Sequence, residues 1–428
     1  MRDRYAAFGA VAGLWRYMKK SAIAFFCILI LIVNSVAVPV LAARQPSDTL
    51  SDYRDIFKDA LNEAMQEVGP EEDYSGMTDE EIQQAQEKEE QEDNKAREEA
   101  LESVENIQDD LAKEQTNTGP VGIIIDADMS TDVDDVAAVR IAQELEYQGL
   151  CDIIGFAYCS KNPSGNNIKA AEGLFDYAGL TDVPVAKAAV SYEYGGNGDY
   201  WGVLWQYKTT DHPVYDNAVN MYKEVLSSHN GKIRIVTTGF LTNIKELLKD
   251  PEGYELVKNK VDAIYVAGGE YDGLCYNLSY DDTRIAATDY VARNCPVPLY
   301  FTMDVLGAIR CGGHLTKIDT YDSDILSKAY AKFGLEDGQN YGNCDGTAVY
   351  CAITQDTGYG GYFEAIPCNF TINYNNGGVL TQTKSDTITG IYMLEATYTK
   401  NKYELYSSST YTNLFDSYLE ADYLRRHQ

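Results

Sequence analysis

The chain has 428 residues, 24% of them charged, and a formal net charge of −31. That length allows two or three domains. The acidic balance excludes a nucleic-acid polymer as partner, because nothing would neutralise its phosphates, and with only four His the chain is poorly supplied for histidine-driven chemistry.

Arg16, Lys19 and Lys20 precede an apolar stretch over residues 22–43 that ends in small residues. Residues 1–43 therefore read as a signal peptide, or as a membrane anchor if cleavage fails. Either way the rest is exported, as a secreted protein or one tethered to the outer face of the cytoplasmic membrane. A membrane is touched only through this segment. Residues 44–118 carry 24 acidic and 7 basic side chains and little apolar content after Val68. They cannot bury a core and form an acidic low-complexity spacer, helical or disordered.

From residue 119 to 428 apolar runs alternate with amphipathic helical patterns. Strands are expected at 121–126, 152–157, 183–188, 233–237, 263–267 and 297–302. Helices are expected at 134–148, 168–178, 216–228, 241–248, 282–293 and 347–354. This alternation predicts an α/β domain with a mainly parallel sheet covered by helices on both faces. The Tyr-rich C-terminal runs suggest further β-structure or exposed loops.

The first strand ends in Asp126-Ala-Asp128-Met-Ser-Thr-Asp132-Val-Asp134-Asp135, five carboxylates within ten residues. Packed this closely and flanked by apolar sequence they would repel one another, and a hard cation resolves the conflict. A strand-end loop is also where α/β sheets place their sites. Further turns fall at Thr237-Thr-Gly-Phe-Leu-Thr-Asn243, Gly268-Gly269, Tyr276-Asn-Leu-Ser-Tyr-Asp281 and Asn343-Cys-Asp345. Taken alone, Asp345 is a helix N-cap. Eight cysteines follow the leader, an even number that allows disulfides in an oxidising compartment, while their spacing supports no zinc site.

Together these motifs resemble the inosine–uridine nucleoside hydrolase family. Asp126-Ala-Asp128 with Asp134-Asp135 is similar to its Asp-x-Asp-x-Gly-x-Asp-Asp loop with two extra residues, and Thr238-Gly-Phe-Leu-Thr-Asn243 is similar to its Thr-Gly-x-Leu-Thr-Asn turn. Gly179-Leu-Thr-Asp-Val-Pro-Val185, Gly268-Gly269, Asn277 and Asp345 recur in the family's order. The resemblance implies a Rossmann-like fold and a Ca²⁺ ion held by Asp128, Asp135, Asp345 and the carbonyl of Thr238. It further implies that a water on that ion, activated by Asp128, attacks a nucleoside or related riboside and releases base and ribose. Asp134, Asn277 and Asn162 would bind the sugar.

Two positions depart from the family. Cys275 stands where a Glu contacts the ribose 5′-hydroxyl, and Cys344 stands where a His is common. Cys344 is thus the candidate for leaving-group protonation, and Cys275 for a substrate contact. Both could instead be packing residues, or a disulfide across the pocket. Tyr200, Trp201, Trp205 and Tyr271 are available to stack on a base or to pack the core. Three alternatives stay open: a hydrolase of another glycoside on the same fold, a surface sugar- or nucleoside-binding protein that keeps the calcium site, and a phosphatase built on Asp126-Ala-Asp128. Base preference and assembly, a homo-oligomer included, are not specified by the sequence.

Overall fold

The structure, a computed structural model, describes residues 78, 120–130, 132–162, 164–192, 200–317, 321–357, 361–397, 399–401, 404–405 and 408–426. The expected leader and nearly all of the spacer lie outside these residues. Among the described residues, no helix is long and apolar enough to cross a membrane.

The first strand, β1 (Val121–Ala127), is a run of three isoleucines with no exposed side chain among them. Because a strand points successive side chains to opposite faces, Ile123 and Ile125 join one apolar cluster and Ile124 the other. The neighbours of β1 are β2 (Cys151–Tyr158) and β5 (Ile233–Thr237), both parallel to it. Beyond β2 come β3 (Val185–Ala186) and β4 (Val214–Tyr215). Beyond β5 come β6 (Val261–Ala267), β8 (Leu299–Thr302) and β13 (Ile391–Ala396), again all parallel. The sheet then continues antiparallel through β11 (Phe363–Asn373), β12 (Val379–Lys384) and the short β7 (Asp272–Gly273). Two small antiparallel pairs complete the described strands: β9 (Arg310–Cys311) with β10 (Tyr341–Gly342), and β14 (Thr399–Asn401) with β15 (Glu404–Leu405).

Helices cover both faces, as the alternation predicts. On the Ile123 face lie α1 (Asp134–Tyr147), α2 (Asn166–Ala178), the short α3 (Trp201–Leu204), α9 (Ile325–Phe333), α10 (Cys344–Thr354) and α11 (Ser408–Arg426). On the Ile124 face lie α4 (Ala218–Ser228), α5 (Thr242–Lys249), α6 (Pro251–Lys260) and α8 (Asp282–Asn294), with α7 (Tyr276–Ser279) leading into α8. The expected elements recur with ends shifted by a few residues. Helices α6, α9 and α11 lie outside the helical segments expected from the sequence, yet each carries a readable signal. Asp250 caps α6 ahead of a proline at its first position, Asp324 caps α9, and Tyr411, Phe415 and Leu419 recur every fourth residue to form the buried stripe of α11.

Helix α1 is buried on nearly every side from Asp134 to Leu145, so its one arginine cannot reach water. Arg140 instead meets Asp324 at 2.6 Å and Asp422 of α11 at 3.0 Å. Asp422 also accepts from Arg426 Nε at 2.8 Å. Removing one partner of a buried pair leaves an uncompensated charge, a loss of about 3–5 kcal/mol. Asp422→Asn should lower the unfolding free energy by about that amount in chemical denaturation, with the slope unchanged. A loss within about 0.5 kcal/mol, typical of a surface position, would show that α11 does not lock α1 through this charge.

Candidate metal and substrate site

β1 lies where the connections of the sheet reverse direction, with β2 on one side and β5 on the other. A crevice opens at such a point beyond the carboxyl ends of the strands. The loop after β1 and the turn after β5 meet there. The backbone N–H of Thr238 donates to the carbonyl of Asp126 at 2.8 Å. Gly239 packs so tightly that a Cβ there would lie 2.7 Å from the Asp128 nitrogen and 2.6 Å from Cys159 Sγ. This close approach explains the glycine in Thr238-Gly-Phe-Leu-Thr-Asn243.

Carboxylate oxygens of Asp132, Asp134, Asp135 and Asp345 lie within 4.8 Å of one another, the last three buried. Asp134 and Asp135 come from the first turn of α1 and Asp345 from the first turn of α10. Asn343, not Asp345, stands at the N-cap position of α10. Thr238 Oγ1 donates to Asp135 Oδ1 at 2.7 Å. The other oxygen of Asp135 and Oδ1 of Asp134 are buried with no hydrogen-bond donor. Buried anionic oxygens without donors are costly, and an all-oxygen cluster of this kind suits a hard divalent cation. The residues present therefore fit a metal ion.

Burial, reinforced by the neighbouring carboxylates, pushes the Asp134, Asp135 and Asp345 carboxyls well above their ordinary range. Asp128 is pushed up to about 8 by burial and then by Asp132, with the Arg284 guanidinium opposing. Asp126 is raised to about 7 by burial alone, against donors from Tyr222 (2.7 Å) and Asn243 (3.0 Å). Asn243 also donates to the Tyr158 carbonyl and accepts from Ala189 N–H, tying β1, β2 and the chain after β3 together.

The structure thus brings Asp134, Asp135, Thr238 and Asp345 together, with Asp128 at their edge beside Gly239. Asp132, which is not among the expected ligands, joins them. Its spacing two residues before Asp134 is the signal that could have found it. Asn277 turns its amide onto the Thr238 carbonyl at 3.0 Å and the Ala267 carbonyl at 3.1 Å. Asn162 lies after β2 with its carbonyl oxygen turned back onto Ser164 N–H and Oγ; the asparagine buried at the start of α2 is Asn167. Cys275 is buried, with its sulfur against Gly268. Cys344 Sγ lies 3.7 Å from Thr302 Oγ1. All eight described cysteines are free thiols, so the cross-pocket disulfide is not formed.

The aromatics singled out for base stacking have other work. Trp201 is buried and donates from Nε1 to the Met129 carbonyl at 2.8 Å, and the Tyr200 hydroxyl donates to the Asp132 carbonyl. Both pin the carboxylate loop from behind. Tyr271 donates to Glu395 at 2.6 Å, and Trp205 lies beneath Lys169. Of the histidines, His212 sits between the Val183 carbonyl and Asp176, His314 faces Asp416, and His229 packs on Gly122 at the opposite end of β1.

The family model described as inosine-uridine preferring nucleoside hydrolase matches residues 123–382. No curated protein matches the chain. A plant nucleoside hydrolase structure is 16% identical at a TM-score of 0.54, covering 71% of this chain and 99% of its own. The inosine-uridine preferring nucleoside hydrolase of Bacillus anthracis is 14% identical at 0.53, over 71% and 99%. The purine-preferring ribonucleoside hydrolase of Gardnerella vaginalis is 17% identical at 0.51, over 71% and 99%. At these identities the structures show a shared fold.

Proposed function

The chain belongs to the inosine–uridine preferring nucleoside hydrolase family, and on that premise we propose that it cleaves nucleosides or related ribosides to base and ribose with the help of a calcium ion. Family membership makes it a glycosidase acting on N-glycosyl bonds. The observation that carries the finer reading is the convergence of buried, donor-less carboxylate oxygens beside the Thr238 hydroxyl.

Asp128, Asp135, Asp345 and the Thr238 carbonyl would hold the ion, with Asp132 as a further carboxylate beside them. When bound, such an ion lowers the pKa of a water and fixes its direction of attack. Asp128, at the edge of the cluster, takes the proton of the attacking water. Asp134 receives ribose hydroxyls on its donor-less Oδ1. The carboxylates also favour the positive charge that builds on the sugar as the glycosidic bond breaks.

Protonation of the departing base is the weak element of this site. His212, His229 and His314 all face partners outside the carboxylate cluster, and Cys344 stands where the family commonly has His. A p-nitrophenyl riboside departs as a stable anion and needs no acid. It should be hydrolysed about 10²-fold or more faster than inosine or uridine, since general acid catalysis contributes about 10²–10⁴-fold. Release of ribose from all three substrates with calcium present measures this. Equal rates would require an efficient acid in the site, and Cys344→Ser would show whether the thiol is that acid. No ribose from any of them would overturn the proposal.

A further inference from the structure

Arg284 is a fully buried residue of α8, named so far only for its charge opposing the rise of the Asp128 carboxyl. Its guanidinium carbon lies 3.8 Å from the ring centre of Phe240, 4.7 Å from that of Tyr276 and 5.2 Å from that of Tyr280. Nη1 donates to the Tyr276 carbonyl, and Nε donates to the Tyr192 hydroxyl at 3.2 Å. Asp281, the N-cap of α8, lies 3.4 Å from Nε.

These contacts join segments that the chain keeps far apart. Phe240 is two residues beyond Thr238 in the turn after β5. Tyr276 immediately precedes Asn277, in the single helical turn α7 that follows β6 and β7. Asn277 in turn donates to the Thr238 carbonyl at 3.0 Å, so the two turns are linked twice: directly by that amide, and behind it by the arginine. Tyr192, from the chain after β3, forms a third anchor, and its hydroxyl donates to Asp281.

We propose that Arg284 is a positioning residue that clamps the Phe240 and Tyr276 turns together and so fixes Asn277 and the Thr238 carbonyl in register with the carboxylate cluster. In this role it acts through Asn277. The planar guanidinium suits this role because it stacks on an aromatic face while its edge donates to a carbonyl and a hydroxyl. A lysine keeps the charge but offers neither the plane nor the fork. The carbonyl of Thr238 has a second lone pair, so the Asn277 bond orients it without preventing it from serving a cation.

The inference rests on the cation reading of the site, and the test separates the two. Calcium binding is measured by calorimetry on the wild-type protein, Arg284→Lys, Asn277→Ala and the double variant. Supporting residues of metal ligands typically change affinity by about 10–100-fold. Arg284→Lys should weaken binding about tenfold, Asn277→Ala by a similar factor, and the double variant little more than the weaker single, because both act on one carbonyl. Fully multiplicative effects, or unchanged affinity in Arg284→Lys, would overturn the role of Arg284 while leaving the cation reading intact. A wild-type protein that binds no divalent cation would overturn both. Where Arg284→Lys fails to fold, Phe240→Leu removes the stacking face alone and should weaken calcium in the same direction. Unchanged affinity there has the same meaning.

Discussion

Stripping calcium from this protein should lower its melting temperature, and by more at pH 8 than at pH 5. The site holds Asp126, Asp128, Asp134, Asp135 and Asp345, all with carboxyls raised by burial, the first to about 7 and the second to about 8. An acid whose folded pKa lies above its unfolded value holds its proton longer in the folded state. The unfolded chain then binds fewer protons between the two values, and stability falls as pH rises. For Asp126 and Asp128 the fall begins near pH 4, the ordinary carboxyl range, and continues to about pH 7 and about pH 8 respectively. A bound divalent cation reverses this by neutralising the ionised carboxylates, so its stabilisation grows across the same interval. At a thousandfold excess over its dissociation constant it adds about 4 kcal/mol, a shift on the order of 8 °C. Asp135→Ala should lose the calcium response. In chelator at pH 8 it should melt above the wild type, because one member of the repelling set is gone. Identical melting curves with and without calcium at pH 8, for both proteins, would remove the cation from the site.

Asp128→Asn should abolish turnover while leaving the affinity for ribosides nearly unchanged. The exchange keeps shape but removes the proposed acceptor of the water proton, a function that would be expressed mainly in the transition state. Loss of a general base lowers kcat by about 10²–10⁴-fold. Asp134→Ala should behave differently. Its Oδ1 has no donor within the protein, so its loss should also raise KM for ribosides. Steady-state kinetics with saturating calcium separate the two. An Asp128→Asn enzyme with wild-type kcat would overturn the proton-acceptor role, and unchanged KM in Asp134→Ala would remove its contact with the sugar.

The legible parts of this protein are those that depend on neighbours in sequence. Three isoleucines before an aspartate-rich loop announce a buried strand that ends at a polar site. Alternation of apolar runs with helical patterns fixes a mainly parallel sheet, and Thr238-Gly239 marks a turn where the backbone must approach another chain segment closely. Even helix α11 has its four-residue stripe, hidden by a composition rich in Tyr, Ser and Thr. Other features were decided by tertiary structure. Asp132 joins Asp345, more than two hundred residues away, because the loop after β1 and the start of α10 converge over one crevice. Tyr200 and Trp201 became pegs for the loop rather than a stacking surface, since their polar atoms found buried carbonyls. Arg284 gained its place between two turns from the packing of α8, not from any motif. The physical reason is common to all three. Spacing along the chain fixes local backbone geometry, whereas desolvation, repulsion between carboxylates and stacking depend on which segments the sheet order brings into contact.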